Sequence, residues 1–359
     1  MILFIAKKLL YSLFVLWGVV TLVFLLFFYL PADPARMMLG QRADEASLKA
    51  IRQDLGLDQP KGQQYLKYVN DLSPISLHST NDPLGYFYYD SVVYKPSAKI
   101  VSIGNKVFVL KYPYLRRSYQ SGKNVSGIIL ETMPNTLILA LAAIIFASIF
   151  GIVLGVFSAI HKNSWFDRST ILFSTIGVSL PSFFAAILVG WLFAYVLGKY
   201  TGLNITGNLV VIDDFGEGLH HEWKNLILPL ITLGMRPLGV IVQLTRNSML
   251  DTLSMDFIRT ARAKGLKESR VIWVHALRNS LNPVVTAISG WFASMMAGVV
   301  FVEYIFGWKG LGYVVVDALG NFDLPLVLGC VLTISIIFII VNFIVDIAYS
   351  MLDPRIRLV

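Results

Sequence analysis

The sequence predicts an all-α polytopic membrane protein, and three observations support this fold class. Hydrophobic residues make up 56% of the 359 residues and charged residues only 14%, whereas about a quarter of the residues of a soluble domain are charged. The mean hydropathy is +0.66. Several uncharged runs are long enough to cross a bilayer, for which about 20 apolar residues suffice. Together these features predict six transmembrane helices.

The net charge of +8 has a simple explanation in such a protein. Lysine and arginine concentrate in the cytoplasmic loops of membrane proteins, where they face the anionic inner leaflet. Membrane lipid, and not nucleic acid, is therefore the expected partner of these charges. The single cysteine, Cys330, excludes an intrachain disulfide and a cysteine-based metal cluster.

Residues 1–30 are predicted to form the cytoplasmic N-terminus and the first span. Residues 9–30 carry no charge and would extend about 33 Å as a helix, which covers a hydrocarbon core of about 30 Å. Lys7 and Lys8 precede this run and place the N-terminus in the cytoplasm. A cleaved signal peptide is the alternative, but its apolar region is usually shorter.

Residues 31–125 are polar and are predicted to form an extracytoplasmic lobe. They contain many lysines and arginines, but long loops are largely exempt from the charge rule. Residues 98–112 have high strand propensity on both sides of Gly104 and Asn105, a pattern typical of a β-hairpin. His78 is expected to be a solvated loop residue.

Residues 126–359 are predicted to hold the other five spans. Their approximate bounds are 135–160, 170–197, 225–245, 284–302 and 325–349. The first of these is rich in small residues, which let membrane helices approach closely. Ser179, Pro181 and Ser294 are candidate pathway residues; a packing kink is the alternative for Pro181, because a proline inside a span frees backbone groups that neighbours or water must satisfy.

Two ionisable residues are the main candidates within the predicted spans, Arg236 in the fourth and Asp346 near the inner end of the sixth. Charges inside a membrane are expensive and mark functional sites. Asp346 is close enough to the interface to be explained by water or a neighbouring arginine. Arg236 stands beside Pro237 and is open to pairing with a partner subunit.

The chain lacks the motifs of the common enzymes. It contains no G-x-x-x-x-G-K-[ST] phosphate loop, and its five histidines are scattered. The adjacent His220 and His221 with Glu222 lack the spacing of a metal motif. The sequence therefore predicts no cofactor and no metal site. An ion-coupled secondary carrier or a polytopic membrane enzyme stays open as a function at this point, but internal repeats or convergent titratable groups would be needed.

The stretch 256–283 is the long polar interval of the second half. Apolar residues recur at helical spacing on both sides of Gly265, namely Leu253, Phe257 and Ala261 before it and Val271, Val274, Leu277 and Leu281 after it. The pattern predicts helix, turn, helix, with Gly265 at a position that needs positive φ. A basic cytoplasmic loop is the plain alternative. A bulky side chain at Gly207, in an outside loop, is expected to be tolerated.

Two runs in this stretch, R-T-A-R-A-K-G-L and H-A-L-R-N, resemble the coupling loop of ABC importer permeases of the dipeptide, oligopeptide and nickel branch. Ala261, Gly265 and Leu277 fall on the general pattern of that loop, from which the chain departs at Arg259, Thr260, His275 and Arg278. The resemblance also covers P-A-D-P-A-R-M-M-L-G near the start of the lobe and L-D-P-R-I-R at 352–357. It extends over most of the chain apart from 73–113.

The resemblance implies a non-enzymatic subunit of an ATP-driven importer in the bacterial cytoplasmic (inner) membrane, with both termini cytoplasmic. The chain would form half of a pathway for peptides, nickel complexes or a related small solute. Three protein partners are implied: a second homologous permease subunit, separate ABC ATP-binding subunits and an extracytoplasmic solute-binding protein. The residues implied in coupling to the ATPase are Asp256, Arg259, Thr260, Ala261, Arg262, Lys264, Gly265 and Leu277.

Overall fold

The computed structural model describes residues 2–29, 34–39, 44–82, 85–212 and 218–352. The predicted basic C-terminus with Arg355 and Arg357 lies outside them. Two compact units are present. One consists mainly of Met133–Tyr313, together with the residues from Ile336 onward, and the other consists of Ile2–Thr132 with Val314–Ser335.

Helices dominate both units. In chain order they are α1 (Ile2–Tyr29), α2 (Pro34–Leu39), α3 (Glu45–Asp54), α4 (Lys61–Leu72), α5 (Val125–Ile160), α6 (Trp165–Ser179), α7 (Ser182–Val189), α8 (Gly198–Thr201), α9 (Lys224–Leu253), α10 (Asp256–Ala263), α11 (Glu268–Arg270), α12 (Leu277–Ile305), α13 (Leu311–Gly320) and α14 (Leu324–Leu352). Gly190–Val196 and Val271–Ala276 form π-helical turns.

Four of these helices, α1, α5, α9 and α14, are long and apolar enough to cross a membrane. Two further spans would result if each of two bent pairs crosses once. The first pair joins α6 to α7 and its following π-helical turn at an angle of 116°. The bend falls where the sequence places Leu180 and Pro181, because Pro181 has no N–H to continue α6 and holds Leu180 in the extended conformation, with ψ 132°.

The larger unit is built around α9, which packs on α6 and α12. Glycines permit backbone contact along it. A Cβ at Gly155 of α5 would lie 2.6 Å from Thr245, and one at Gly239 would lie 2.5 Å from the carbonyl oxygen of Ser174 on α6. Any larger residue would separate these helices. The close approach predicted from the small residues of α5 is therefore present at Gly155.

The lobe in the second unit contains a three-stranded antiparallel sheet of order β1-β3-β2, with β1 (Ile75–Ser79), β2 (Ser97–Ile103) and β3 (Lys106–Lys111). β2 and β3 pair across Gly104, whose φ is +57°. β1 was not among the strands predicted from the sequence. Two shorter strands, β4 (Val210–Ile212) and β5 (Leu219–His221), pair in the other unit.

His78 is buried in β1, and its predicted solvated environment is wrong. Its Nε2 atom lies 2.9 Å from the Ser76 hydroxyl, and its ring centroid lies 4.6 Å from that of Tyr94. β1 pairs along the full length of β3, so alternate β1 side chains enter the interior of the lobe. A lone histidine in a polar stretch gives no sign of this, because the buried position is created by a strand partner about 30 residues away.

An ionic cluster lies beneath the sheet. The Asp71 carboxylate accepts hydrogen bonds from Arg116 Nε at 2.9 Å and the Tyr94 hydroxyl at 2.8 Å, and lies 3.5 Å from Lys67 Nζ. Lys111 Nζ donates to the Asp71 carbonyl oxygen. Burial lowers the pKa of Lys111 to about 8. Each charged group therefore has partners, as buried charges require.

Candidate coupling surface and pathway face

The buried side of α10 is formed by Ile258 and Ala261. They are 0% and 7% exposed and pack in one apolar cluster with Val156 of α5 and Met249 of α9. The periodicity predicted Phe257 on this side, but Phe257 is 41% exposed. One residue along an α-helix corresponds to a rotation of about 100° about its axis. α10 is therefore rotated by this amount relative to the prediction, and Ile258 takes the buried position. Ala261 lies where it was predicted.

The opposite side of α10 presents charge. Its exposed polar residues are Asp256, Arg259, Thr260, Arg262 and Lys264. Arg259 Nη1 lies 3.2 Å from Asp256, and Arg262 donates two hydrogen bonds to Glu268, at 2.6 and 3.1 Å. The hydrogen bond from Arg262 lowers the pKa of the Glu268 carboxyl. Because these pairs are exposed to solvent, they restrain the side chains only weakly.

Gly265 forms the turn after α10. Its φ is +75°, and its N–H donates to the carbonyl oxygen of Arg262 at 2.9 Å. A Cβ there would meet nothing within 4 Å, so only the backbone conformation selects glycine at this position. The chain then forms α11 and a π-helical turn, and Leu277 at the start of α12 packs against the cluster under α10.

Apolar side chains lie exposed beside these charges. Met255 and Phe257 precede and begin α10, and Trp273 and Val274 lie on the π-helical turn; their exposures range from 41% to 51%. The ring of Trp273 contacts Phe157 at the end of α5, with a centroid separation of 6.3 Å. Exposed apolar groups mixed with charge are typical of a protein-binding surface. We call residues 255–274 the coupling surface.

A buried ion pair that was not predicted from the sequence joins α6 and α9. Arg246 of α9 binds the Asp167 carboxylate of α6 through Nε at 2.6 Å and Nη2 at 2.7 Å. The same carboxylate accepts from the hydroxyl of Ser158 on α5. Three helices therefore meet at Asp167. The spacing Ser164-x-x-Asp167 is a helix-start signal that could have directed attention to it, and Asp167 N–H does donate to Ser164 Oγ.

The candidate pathway residues are all exposed. Ser179 ends α6, Pro181 precedes α7, and Ser294 lies on α12. Ser179 and Pro181 therefore lie together at the break between α6 and α7. The Ser179 hydroxyl donates to the Thr175 carbonyl oxygen at 2.8 Å, which satisfies one acceptor of the last turn. Ser294 follows Trp291 by one turn on a different helix.

Gly207 is not the permissive position that the sequence predicted. A Cβ there would lie 2.4 Å from the side chain of Asn225, and the Gly207 N–H donates to the Phe306 carbonyl oxygen at 3.0 Å. A bulky residue at Gly207 would displace this loop from its contact with α9. Gly202, with φ +62° and nothing within 4 Å of a Cβ, matches Gly265 in both respects.

Across the described ranges, no group of three or more His, Cys, Asp or Glu residues is placed to hold a metal ion. His220 and Glu222 approach each other only to 4.0 Å, on an exposed strand.

Residues 151–358 match the family described as binding-protein-dependent transport system inner membrane component, and residues 1–89 match the N-terminal region described for the membrane components of such systems. The first match covers more than half of the chain. The chain belongs to the binding-protein-dependent transport permeases. A member of this family is the membrane subunit of a transporter and not an enzyme, and it works with ATP-binding subunits and a solute-binding protein.

Curated relatives align with the whole permease. The di/tripeptide transport system permease protein DppB of Pseudomonas aeruginosa is 35% identical, and the alignment covers 99% of both chains. The dipeptide permease DppB of Alkalihalophilus pseudofirmus is 32% identical over 98% of both chains. The glutathione transport system permease GsiC of Escherichia coli is also 32% identical, over 99% of this chain and 98% of its own.

Solved structures support the fold. An inward-facing structure of the MetNI methionine ABC transporter aligns with a TM-score of 0.51 and 14% identity, covering 64% of this chain and 97% of the matched chain. At this identity the similarity concerns the fold alone. The family match and the curated relatives agree with the permease family that the coupling-loop motif predicted.

Proposed function

We propose that this permease forms half of the pathway of an ATP-driven importer for small peptides, including tripeptides of the size of glutathione. The named substrates of its relatives, which are dipeptides, tripeptides and glutathione, support this substrate class. The other half of the pathway is a second permease subunit. The spans number six, counting α6 with α7 as one bent span and α12 as another.

The proposed orientation places the coupling surface in the cytoplasm and the lobe outside. Arg259, Arg262, Lys264, Lys267 and Arg270 are concentrated within twelve residues of chain, as the positive-inside rule requires of a short cytoplasmic loop. Both termini then lie in the cytoplasm. The lobe and its β2–β3 hairpin face the solute-binding protein.

The observation that carries the coupling proposal is the geometry around Gly265. α10 is fixed to the ends of α5 and α9 by Ile258 and Ala261, while its charged side and four apolar groups stay exposed. A turn with positive φ then leads the chain through α11 and the π-helical turn into α12. A movement of a docked ATPase subunit would therefore pass to α9 and α12 through rigid elements, which is how domain movements are transmitted in packed proteins.

Three variants test this proposal. Gly265→Val forces a β-branched residue into the left-handed region, at a strain of about 1–2 kcal/mol, so the turn and α10 shift. Gly265→Asn adds a side chain of similar size that tolerates positive φ. Gly202→Val applies the same strain at an open turn remote from the coupling surface. We expect only Gly265→Val to lower co-purification of the ATPase subunits and ATP-driven uptake of dialanine, with normal membrane insertion.

If Gly265→Val and the wild type are equal in ATPase co-purification and in uptake, the coupling role is contradicted. The segment would then be only a basic cytoplasmic loop. Equal loss in Gly265→Val and Gly202→Val would point to general instability. Loss in Gly265→Asn as severe as in Gly265→Val would show that the side chain and not the backbone is responsible.

A further inference from the structure

Arg236 lies deep in a membrane helix. It is 12 residues from the start of α9 at Lys224 and 17 from its end at Leu253, about 18 and 26 Å along the axis at 1.5 Å per residue. A charged side chain at such a depth almost always faces water or a partner and not lipid. The guanidinium is exposed and stands over the Trp291 ring at 6.0 Å. Within the residues that the structure describes, it makes no ion pair or hydrogen bond.

The break between α6 and α7 lies at the same level. A Cβ on Gly177 of α6 would be 3.1 Å from the side chain of Met235, the residue before Arg236. Three residues after Gly177 the helix ends in the extended Leu180. Backbone that leaves the helical conformation at membrane depth must be covered by protein or line a water-filled cavity. Ser179 and Pro181 at this break are exposed.

The surface around Arg236 is polar. Gln243 lies two turns along the same side of α9, and its Nε2 donates to the Thr175 hydroxyl of α6 at 3.4 Å. On α12, Gly290 and Ser294 flank Trp291 and are exposed. Elsewhere these helices expose large apolar groups such as Phe173 and Phe301. The polar surface that contains Arg236 therefore differs from a surface made to face lipid.

We propose that Arg236 is the carboxylate-binding residue of the translocation pathway and receives the C-terminal carboxylate of the transported peptide. This inference rests on the proposed peptide-import function. The guanidinium presents parallel N–H groups that fit a carboxylate in a bidentate fashion. The cation–π contact with Trp291 at 6.0 Å uses none of the N–H groups in a hydrogen bond. Discontinuous helices near mid-membrane commonly border such sites.

A free carboxylate is also the chemical group that all unmodified peptides share. A site for it recognises the main chain and accepts any side chain, which suits a transporter of many peptides. A fixed pair with an acidic residue of the second permease subunit is the competing occupant. Such a pair would be expected to stabilise the assembly and would distinguish no peptide from another.

The test measures the uptake of two peptides, one with and one without a free carboxylate, by the wild type and by a variant. The complete importer, with its binding protein, is reconstituted in vesicles containing ATP, and uptake of labelled dialanine and of dialanine amide is measured at varied concentration. The ratio of kcat/KM for acid over amide is compared between wild type and Arg236→Gln. Because the binding protein is the same in both, its own preference cancels in the comparison. Arg168→Gln, an exposed arginine at the start of α6, is the matched control.

We expect the acid-to-amide ratio to fall about tenfold in Arg236→Gln, equivalent to 1.4 kcal/mol, with the subunits and binding-protein-stimulated ATP hydrolysis retained. Arg236→Lys keeps the charge and should recover part of the ratio. If the wild type transports the amide too slowly to measure, the difference in dialanine uptake between Arg236→Gln and Arg236→Lys replaces the ratio.

An unchanged ratio in Arg236→Gln would overturn the inference. So would an equal loss for both peptides, or loss of the second permease on purification, which would assign Arg236 to the subunit contact. If the wild-type importer takes up neither dialanine nor trialanine, the proposed peptide function itself is contradicted.

Discussion

The lobe and the coupling surface use charge in opposite ways. In the lobe, Asp71 is 2% exposed and Arg116 18% exposed at the side chain, and each is enclosed by tyrosines. At the coupling surface, Arg262 and Glu268 form a pair through two hydrogen bonds, with 45% and 55% of their side chains exposed. Both regions contain several basic residues. What differs is the environment that surrounds each pair.

This difference has a physical consequence. A buried ion pair is costly to assemble and costly to break, so it fixes one arrangement of the elements that supply it. An exposed pair contributes little to stability and can exchange partners. The lobe is therefore built to keep its own shape, whereas the coupling surface is built to offer its charges to another protein. Variants of the two regions should accordingly fail in different assays.

The largest effect is expected for Asp71→Ala in the lobe. Removing this carboxylate leaves Arg116, Lys67 and the Tyr94 hydroxyl without their shared partner, and breaking a buried pair costs about 3–5 kcal/mol. We expect faster hydrogen–deuterium exchange in β1 and β3, measured by mass spectrometry on the intact importer. Asp54→Ala, at an exposed position of α3, is the control and should change exchange little. Unchanged protection of β1 and β3 in Asp71→Ala would remove the distinction between the two regions.

The sequence predicted those parts of the protein whose pattern repeats locally. The long apolar runs correspond to α1, α5, α9 and α14, and the turn at Gly265 has the positive φ that its position after a helix required. The strand pairing across Gly104 likewise depends on residues close together in the chain. In each case the residues that create the feature are also those that reveal it.

The features that were missed depend on residues far apart in the chain. Asp167 and Arg246 are separated by 79 residues, and neither looks unusual in its own segment. His78 is buried because β1 pairs with β3. The shift from Phe257 to Ile258 has the same origin, since the rotation of α10 is set by the ends of α5 and α9 that it packs against. Local periodicity shows that a helix is amphipathic, but it locates the buried side of the helix only to within about one residue.

A smaller effect is expected from pH, and it should be confined to the lobe. Burial, reinforced by the charge of Lys67, lowers the pKa of His78 to about 4 from an ordinary value of 6.5. The unfolded lobe therefore binds a proton between about pH 6.5 and pH 4 that the folded lobe does not bind. Stability falls as the pH is lowered through this window and is fully recovered above it. Hydrogen exchange in β1, corrected for intrinsic rates, should report this loss of protection.

His78→Phe separates this effect from the titration of other groups. The phenyl ring keeps the packing on Tyr94 but carries no titratable nitrogen. The pH dependence between 4 and 6.5 should be shallower in the variant than in the wild type. Exchange in the peptides of α10 should not differ between the two proteins at any pH. Identical pH profiles in β1 would show that His78 takes up its proton in the folded lobe without cost.

The smallest effect on stability, and a distinct one on assembly, is expected for Lys264→Glu at the coupling surface. Lys264 is exposed at the end of α10, and surface changes of this kind alter the free energy of unfolding by about 0.5 kcal/mol or less. Its charge should instead contribute to docking of the ATPase subunits. Salt screens exposed charges, with a Debye length of about 10 Å at 0.1 M. Retention of the ATPase by Lys264→Glu should therefore be weakened at low ionic strength and approach that of the wild type at high salt.

Lys199→Glu, at an exposed position of α8, makes the same charge change away from this surface and should retain the ATPase at every salt concentration. A loss in Lys264→Glu that is independent of salt would mean that the residue acts through the shape of the turn at Gly265, and the comparison with the lobe would then rest on burial alone.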